Sequence, residues 1–210
     1  MNSISETHSE RRKRLSKAER RRQLLDVAKH LLETIGADEL TLAVLAERAG
    51  VSKPIAYDHF ESRSGLLIAL LDDTSQYYAS DAEAKITRAP QTIQAIADIV
   101  ATAYVQCSLD AGPALLMLAA AVEANSEARD AGRAVQRDHA ASFQRAFETV
   151  LDDQGEQRAP LYKALVAAAN SICDDRHQNK ISTEQAVEAL THLLVTSLSP
   201  FAKTAYKSET

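Results

Sequence analysis

The chain has little of what builds tight turns or covalent crosslinks: 6 Gly, 5 Pro and 2 Cys among 210 residues. So few Gly and Pro leave little material for β-sandwiches or barrels. With Ala and Leu leading a hydrophobic fraction of 45%, the fold class expected is all-α. Cys107 and Cys173 are too few and too far apart for a disulfide framework or a Cys-based zinc site. Neither has an adjacent basic residue that would favour a reactive thiolate. No stretch has the length and freedom from charge of a signal-peptide core or a membrane span, so the expectation is a soluble cytoplasmic protein without a membrane partner. Also missing are an H-E-x-x-H-like helix, a Gly-rich phosphate loop and a nucleophile paired with a base, which argues against an enzyme and against a cofactor. Asp174, Asp175 and His177 cluster at a predicted helix end, where polar residues are ordinary, so no metal site is assigned.

Charge is present but unevenly placed. The net charge of -5 divides into 12 Lys/Arg against 10 Asp/Glu over residues 1–66, and 12 against 19 over the remainder. A front part able to approach phosphates is thereby joined to a back part that is not. Residues 11–22 hold eight basic side chains and one acidic one, Glu19. This stretch reads either as a solvated tail or, through its arginines, as an arm for a narrow minor groove.

Helical spacing organises the rest. Ser16 and Glu19 form a capping-box pattern ahead of Leu24, Ala28, Leu31 and Ile35, which predicts a helix over 17–34 ending at Gly36. Thr41 caps a second short helix that ends at Gly50. Ser52, with Pro54 in the first turn, opens a third that ends near Phe60. A fourth runs from Ser62 or Arg63 to about Ile86. Five more are expected over 91–109, 113–124, 127–151, 160–177 and 183–205, with a break at residues 110–113 and a loop at 152–157. The total is about nine helices. Domain limits follow: a basic arm over 1–16, a three-helix unit over 17–61 and a larger helical domain over 62–210.

The second and third helices carry the function. A helix-turn-helix needs a small residue at the crossing, a turn residue tolerant of positive φ, and apolar residues that hold the second helix on the first. Ala46, Gly50 and Val51 meet these needs in order, with Tyr57 and Phe60 available to anchor the end. The third helix would then point its N-terminus into the major groove of double-stranded DNA. Lys53 suits a guanine edge and Ile55 a thymine methyl. Ser52 and Pro54 complete that N-terminus, where the helix dipole favours phosphate. Thr41, Tyr57 and His59 suit phosphates.

The run TLAVLAERAGVSKPIAYDHF at residues 41–60 resembles the DNA-binding signature of the TetR family of repressors, and the likeness continues through ESRSGLL at 61–67. It covers roughly residues 20–71. The resemblance implies that Arg63, where the family usually has Lys, touches the DNA backbone. Two positions depart from the pattern. Ala56 stands where a larger apolar residue is usual, which thins the expected helix contact. Asp58 stands where an aromatic or basic residue is common, and its carboxylate would repel phosphate unless it turns outward or accepts from a cytosine amine.

The same resemblance implies a homodimer on a palindromic operator, paired through the last two helices, and an effector pocket built from residues of about 91–177. Leu161, Leu165, Ala168, Ala169 and Ile172, with Ala186, Leu190, Leu193, Leu194 and Leu198, supply apolar stripes for pairing; the same stripes could instead close the monomer's own core. Candidate pocket residues are Tyr77, Tyr104, Cys107, Met117, His139, Phe143 and Asn170, each of which could equally be plain core. Their surroundings suggest a small, largely apolar effector. An architectural DNA-binding protein without an effector is the alternative, and it requires a back half without a cavity.

Overall fold

The computed structural model describes residues 15–36, 38–124, 126–152 and 158–203, apart from the side chains of residues 113–132. Among the described residues there are eight α-helices: α1 (Lys17–Thr34), α2 (Leu42–Arg48), α3 (Lys53–Phe60), α4 (Arg63–Ile86), α5 (Ile93–Ala124), α6 (Ser126–Phe147), α7 (Ala159–His177) and α8 (Thr183–Leu198). The all-α expectation holds.

Local chemistry starts the front helices where the caps predicted. Ser16 Oγ accepts from the Glu19 N–H at 3.2 Å while the Glu19 carboxylate accepts from the Ser16 N–H at 2.7 Å, closing the capping box of α1. Thr41 Oγ1 accepts from the Val44 N–H and Ser62 Oγ from the Gly65 N–H. Ser52 precedes α3 in extended conformation but makes no side-chain cap bond; Pro54 in the first turn removes one of the donors a cap would serve.

Two cores result. The front one gathers Leu24, Leu25, Ala28 and Leu31 of α1, Leu42, Leu45 and Ala46 of α2, and Ala56 and Phe60 of α3, and it draws in Leu66, Leu67, Leu70 and Leu71 of α4. The rear core is built by α5, α6, α7 and α8 around Ile96, Val105, Phe147, Leu165, Leu190 and Leu194. Because α4 enters the front core with its first turns and packs along α5 with the rest, it joins the two.

Several expectations change. The break at residues 110–113 does not occur, so α5 replaces two predicted helices and the count falls from nine to eight. A proline there withholds one backbone donor, but packing on either side compensates. Ala111 is buried in the front core, and Gly112 lies so close to the His177 ring that a Cβ would stand 3.0 Å from Cε1. Ser108 Oγ bonds His177 Nε2 at 3.0 Å one turn earlier. At the other end α8 stops at Leu198 and tightens into a 3₁₀ turn, Ser199–Phe201, where Pro200 cannot continue an α-helix. An isolated antiparallel bridge, Leu151 to Ala202, ties this segment to the end of α6, which closes at Phe147 rather than at 151.

The stripes predicted to pair with a second copy are mostly spent inside the chain. Leu165, Ala169, Ala186, Leu190, Leu194 and Leu198 are all buried in the rear core. Leu161, Ala168, Ile172 and Leu193 are only partly covered, and the open face of α7 carries Ala164, Ala167 and Ser171 instead.

Candidate nucleic-acid interface and effector cavity

The α2–α3 corner closes as its glycine predicted. Gly50 has φ +65° with nothing within 4 Å of a would-be Cβ, so the constraint is the left-handed backbone alone. The Val51 N–H donates to the Ala46 carbonyl at 2.9 Å and the Gly50 N–H to the Glu47 carbonyl at 3.1 Å, a Schellman closure of α2. Ala46 is buried at the crossing.

Alternation along α3 then separates two faces. Ala56 and Phe60 are buried, whereas Lys53, Pro54, Ile55, Tyr57 and Asp58 are exposed, with Ile55 at 37% and Tyr57 at 50%. Exposed apolar and aromatic side chains beside a lysine form a face suited to base edges rather than to a core. Ala56 is not a thin contact, because it is fully buried and the neighbouring side chains close over it. Phe60 alone anchors the helix end; Tyr57 points to solvent.

The first helix braces α3. Arg21 donates to the His59 carbonyl at 2.8 Å and lies over the Phe60 ring, 4.9 Å from its centroid, placing a cation at the C-terminus of α3. One turn earlier Lys17 Nζ stands 3.3 Å from the Asp58 carboxylate. Lys17 and Arg21 lie at i, i+4 spacing on the helix predicted over 17–34, a spacing visible in the sequence although their partners on α3 are not. Residues 1–14, which hold Arg11, Arg12, Lys13 and Arg14, lie outside the described residues. Partial burial holds His59 below the ordinary histidine value; Asp58 pulls the other way, and Lys17, Arg21 and Arg20 oppose it.

Thr41 is exposed beside this face, its hydroxyl engaged in the α2 cap. Arg63 reaches back across the unit: its Nε donates to the Leu40 carbonyl at 2.8 Å and a terminal nitrogen to the Asp38 carbonyl at 3.2 Å. The guanidinium thus secures the α1–α2 connection. Gly65 completes the junction, since its would-be Cβ would fall 2.1 Å from the Phe60 carbonyl oxygen. Only glycine lets the first turn of α4 ride directly on the end of α3.

With this geometry comes a direct comparison. Residues 24–70 match the family profile described as "Bacterial regulatory proteins, tetR family". Residues 24–70 thus form a DNA-binding unit of the TetR type. Over 58 residues it is 43% identical to the HTH-type transcriptional regulator BetI of Escherichia coli, covering 27% of this chain and 30% of BetI. The match thus spans under a third of that relative's length. Solved TetR-family structures share the fold along nearly their whole length. A TetR transcriptional regulator from Rhodococcus sp. RHA1 superimposes with a TM-score of 0.68 at 18% identity, over 87% of this chain and 98% of that one. A TetR-family regulator from Pectobacterium atrosepticum gives 0.65 at 22% identity, over 87% and 95%. Among the described residues no helix is long and apolar enough to cross a membrane.

Behind the TetR-type front unit lies a partly open cavity of about 280 Å³ lined by α4, α5 and α6. Of the predicted pocket residues, Tyr104, Cys107, His139 and Phe143 line it. Asn170 stands behind the wall, accepting from the Tyr104 hydroxyl at 2.7 Å. Tyr77 does not enter. It is 66% exposed and lies in a separate groove with Lys29 and Leu32, whereas Tyr78 borders both that groove and the cavity. The side chain of Met117 lies outside the described residues.

The inner wall is polar but self-satisfied. Ser75 Oγ lies 3.2 Å from His139 Nε2 and 3.8 Å from Cys107 Sγ. Tyr104 packs edge-on against both His139 and Phe143, at centroid distances of 5.2 and 5.3 Å. On the exposed side of α4, Tyr78 donates to the Asp110 carboxylate at 2.6 Å, outside that wall. Burial lowers His139, against the pull of Asp138, and pushes the Cys107 thiol up to about 11. Ser75 and Tyr78 were missed from sequence because a polar residue on a long amphipathic helix carries no mark of which neighbour it will face.

Proposed function

We propose that this protein is a dimeric, effector-released transcriptional repressor that recognises a palindromic operator through α3. The observation that carries the reading is the α3 surface, where Lys53, Ile55 and Tyr57 stand exposed on a helix held from behind by Ala56, Phe60 and Arg21. Lys53 and Ile55 read bases; Thr41, Tyr57 and His59 position the phosphates, with Ser52 and Pro54 at the helix N-terminus. Arg63 acts by holding the α1–α2 connection against α4 and by adding positive charge next to the backbone. A single reading head offers few phosphate contacts, which favours two heads on adjacent half-sites. The small-residue face of α7, with Ala164, Ala167 and Ser171, is the surface on which a second copy would pack closely. Support for an effector comes from the cavity against α4, the helix shared by both cores, so a ligand there bears on the reading head.

Footprinting on DNA flanking the protein's own coding region tests this reading. Protection of two symmetric half-sites about 10 base pairs apart, or a multiple of that, is the expected result. Absence of protection at low salt would overturn it.

A further inference from the structure

The cavity between α4, α5 and α6 has two chemically different parts. In its depth Ser75 and Tyr104 already have partners, Ser75 with His139 and Tyr104 with Asn170. A neutral polar ligand entering there would trade water for groups already engaged and gain little. Its rings and aliphatic walls, Tyr104, Phe143, Val100 and Ile86, reward an apolar body instead.

The rim is different. Asp72 and Glu83 of α4 and Asp138 of α6 bring three carboxylates to it, and among the described lining residues Arg145 is the only Lys or Arg. That guanidinium is itself engaged, 3.9 Å from Glu83 and bonded to Ser142 at 2.9 Å. An anionic headgroup would meet two uncompensated carboxylates, whereas an ammonium would be attracted to them and would have aromatic rings within the same enclosure.

We propose that the effector is a small cationic amphiphile, an organic amine whose apolar or aromatic body fills the α4–α5–α6 cavity and whose ammonium lies at the Asp72–Asp138 rim. This rests on the reading of the cavity as the effector site. An ammonium between Asp72 of α4 and Asp138 of α6 would act on the helix whose first turns form part of the front core.

Three probes with one common body test it on the full-length protein: benzylamine, benzyl alcohol and phenylacetate, compared by calorimetry and thermal shift. Benzylamine is expected to bind roughly tenfold more tightly than the alcohol, with phenylacetate weakest and only the amine's affinity falling as salt rises. Replacing the exposed Asp72→Asn and Asp138→Asn together should erase the amine's advantage and leave the alcohol unchanged. Ala103→Leu, on the half-buried cavity wall, should abolish binding of all three; binding that survives it lies elsewhere and overturns the proposal. Equal or tighter binding of phenylacetate or the alcohol, or no binding by the amine, also overturns it. Operator footprinting on the same samples separates the two readings. Protected DNA without amine binding removes only the ligand class, and amine binding without release of DNA removes only effector-driven repression.

Discussion

Lys17 of α1 and Asp58 of α3 form an ion pair of 3.3 Å on the surface that carries the reading helix. Both side chains are largely exposed, 74% and 69%, so the pair adds little to stability. Its consequence is electrostatic. Asp58 would repel phosphate, and Lys17 neutralises it without entering the face formed by Lys53, Ile55 and Tyr57.

Lys17→Ala should therefore weaken DNA binding more than the loss of one phosphate contact, because it also uncovers Asp58. Asp58→Asn alone should tighten binding, and the double substitution should restore most of what Lys17→Ala loses. Titrations on operator DNA across a salt series measure this. Additive effects of the two substitutions would show that the pair does not operate on DNA. Thermal stability should change by no more than about 0.5 kcal/mol in any of the three.

Gly65→Ala should be more damaging than Gly50→Ala. At Gly65 the added methyl meets backbone, 2.1 Å from the Phe60 carbonyl oxygen, so α3 and α4 must separate. A cost of about 1–3 kcal/mol is expected, as for an overpacked core. At Gly50 there is open space, and the cost is the left-handed conformation alone, about 1–2 kcal/mol. Urea unfolding of both variants checks the order.

Enlarging Ala56 to leucine, closer to the usual family residue, should destabilise rather than improve the front core. The position is already fully buried in the core that includes Leu45 and Phe60. The expected penalty is about 1–3 kcal/mol in chemical unfolding, with α3 displaced and DNA affinity reduced. A gain in stability would mean that the site holds unfilled space.

His139 gives the rear domain a pH dependence of defined sign. Burial lowers its folded-state value, against the pull of Asp138, so the unfolded chain binds the proton more readily. Stability is then full above about pH 6.5, the unfolded histidine value, and falls as pH drops through it toward the folded value. His139→Gln should flatten this part of the stability curve, in thermal melts between about pH 5 and 8. The Ser75 hydrogen bond would be retained in part, because the amide of glutamine can accept or donate.

How far the sequence reaches depends on the range of the interaction involved. The starts of α1, α2 and α4, the left-handed turn at Gly50 and the separation of α3 into a buried and an exposed face follow from neighbours within four residues. Capping hydroxyls, chain stiffness and helical period act at that range, and they were legible in the order Ser16, Thr41, Gly50, Ser62. The single helix α5 was not. Locally the Gly112-Pro113 step reads as a break, yet the helix continues, with the His177 ring against Gly112 and Ala111 buried in the front core. The stripes of α7 and α8 likewise had the correct period but an undetermined partner, since an apolar face packs as well against its own chain as against a second copy. Tertiary structure decided that Leu165, Leu190 and Leu194 close this chain's own core, that Tyr104 and His139 share a wall while Tyr77 stays outside, and that the carboxylate of Asp58 is answered by Lys17. Each of these joins residues far apart in sequence, whose meeting depends on how whole helices pack and not on the side chains beside them.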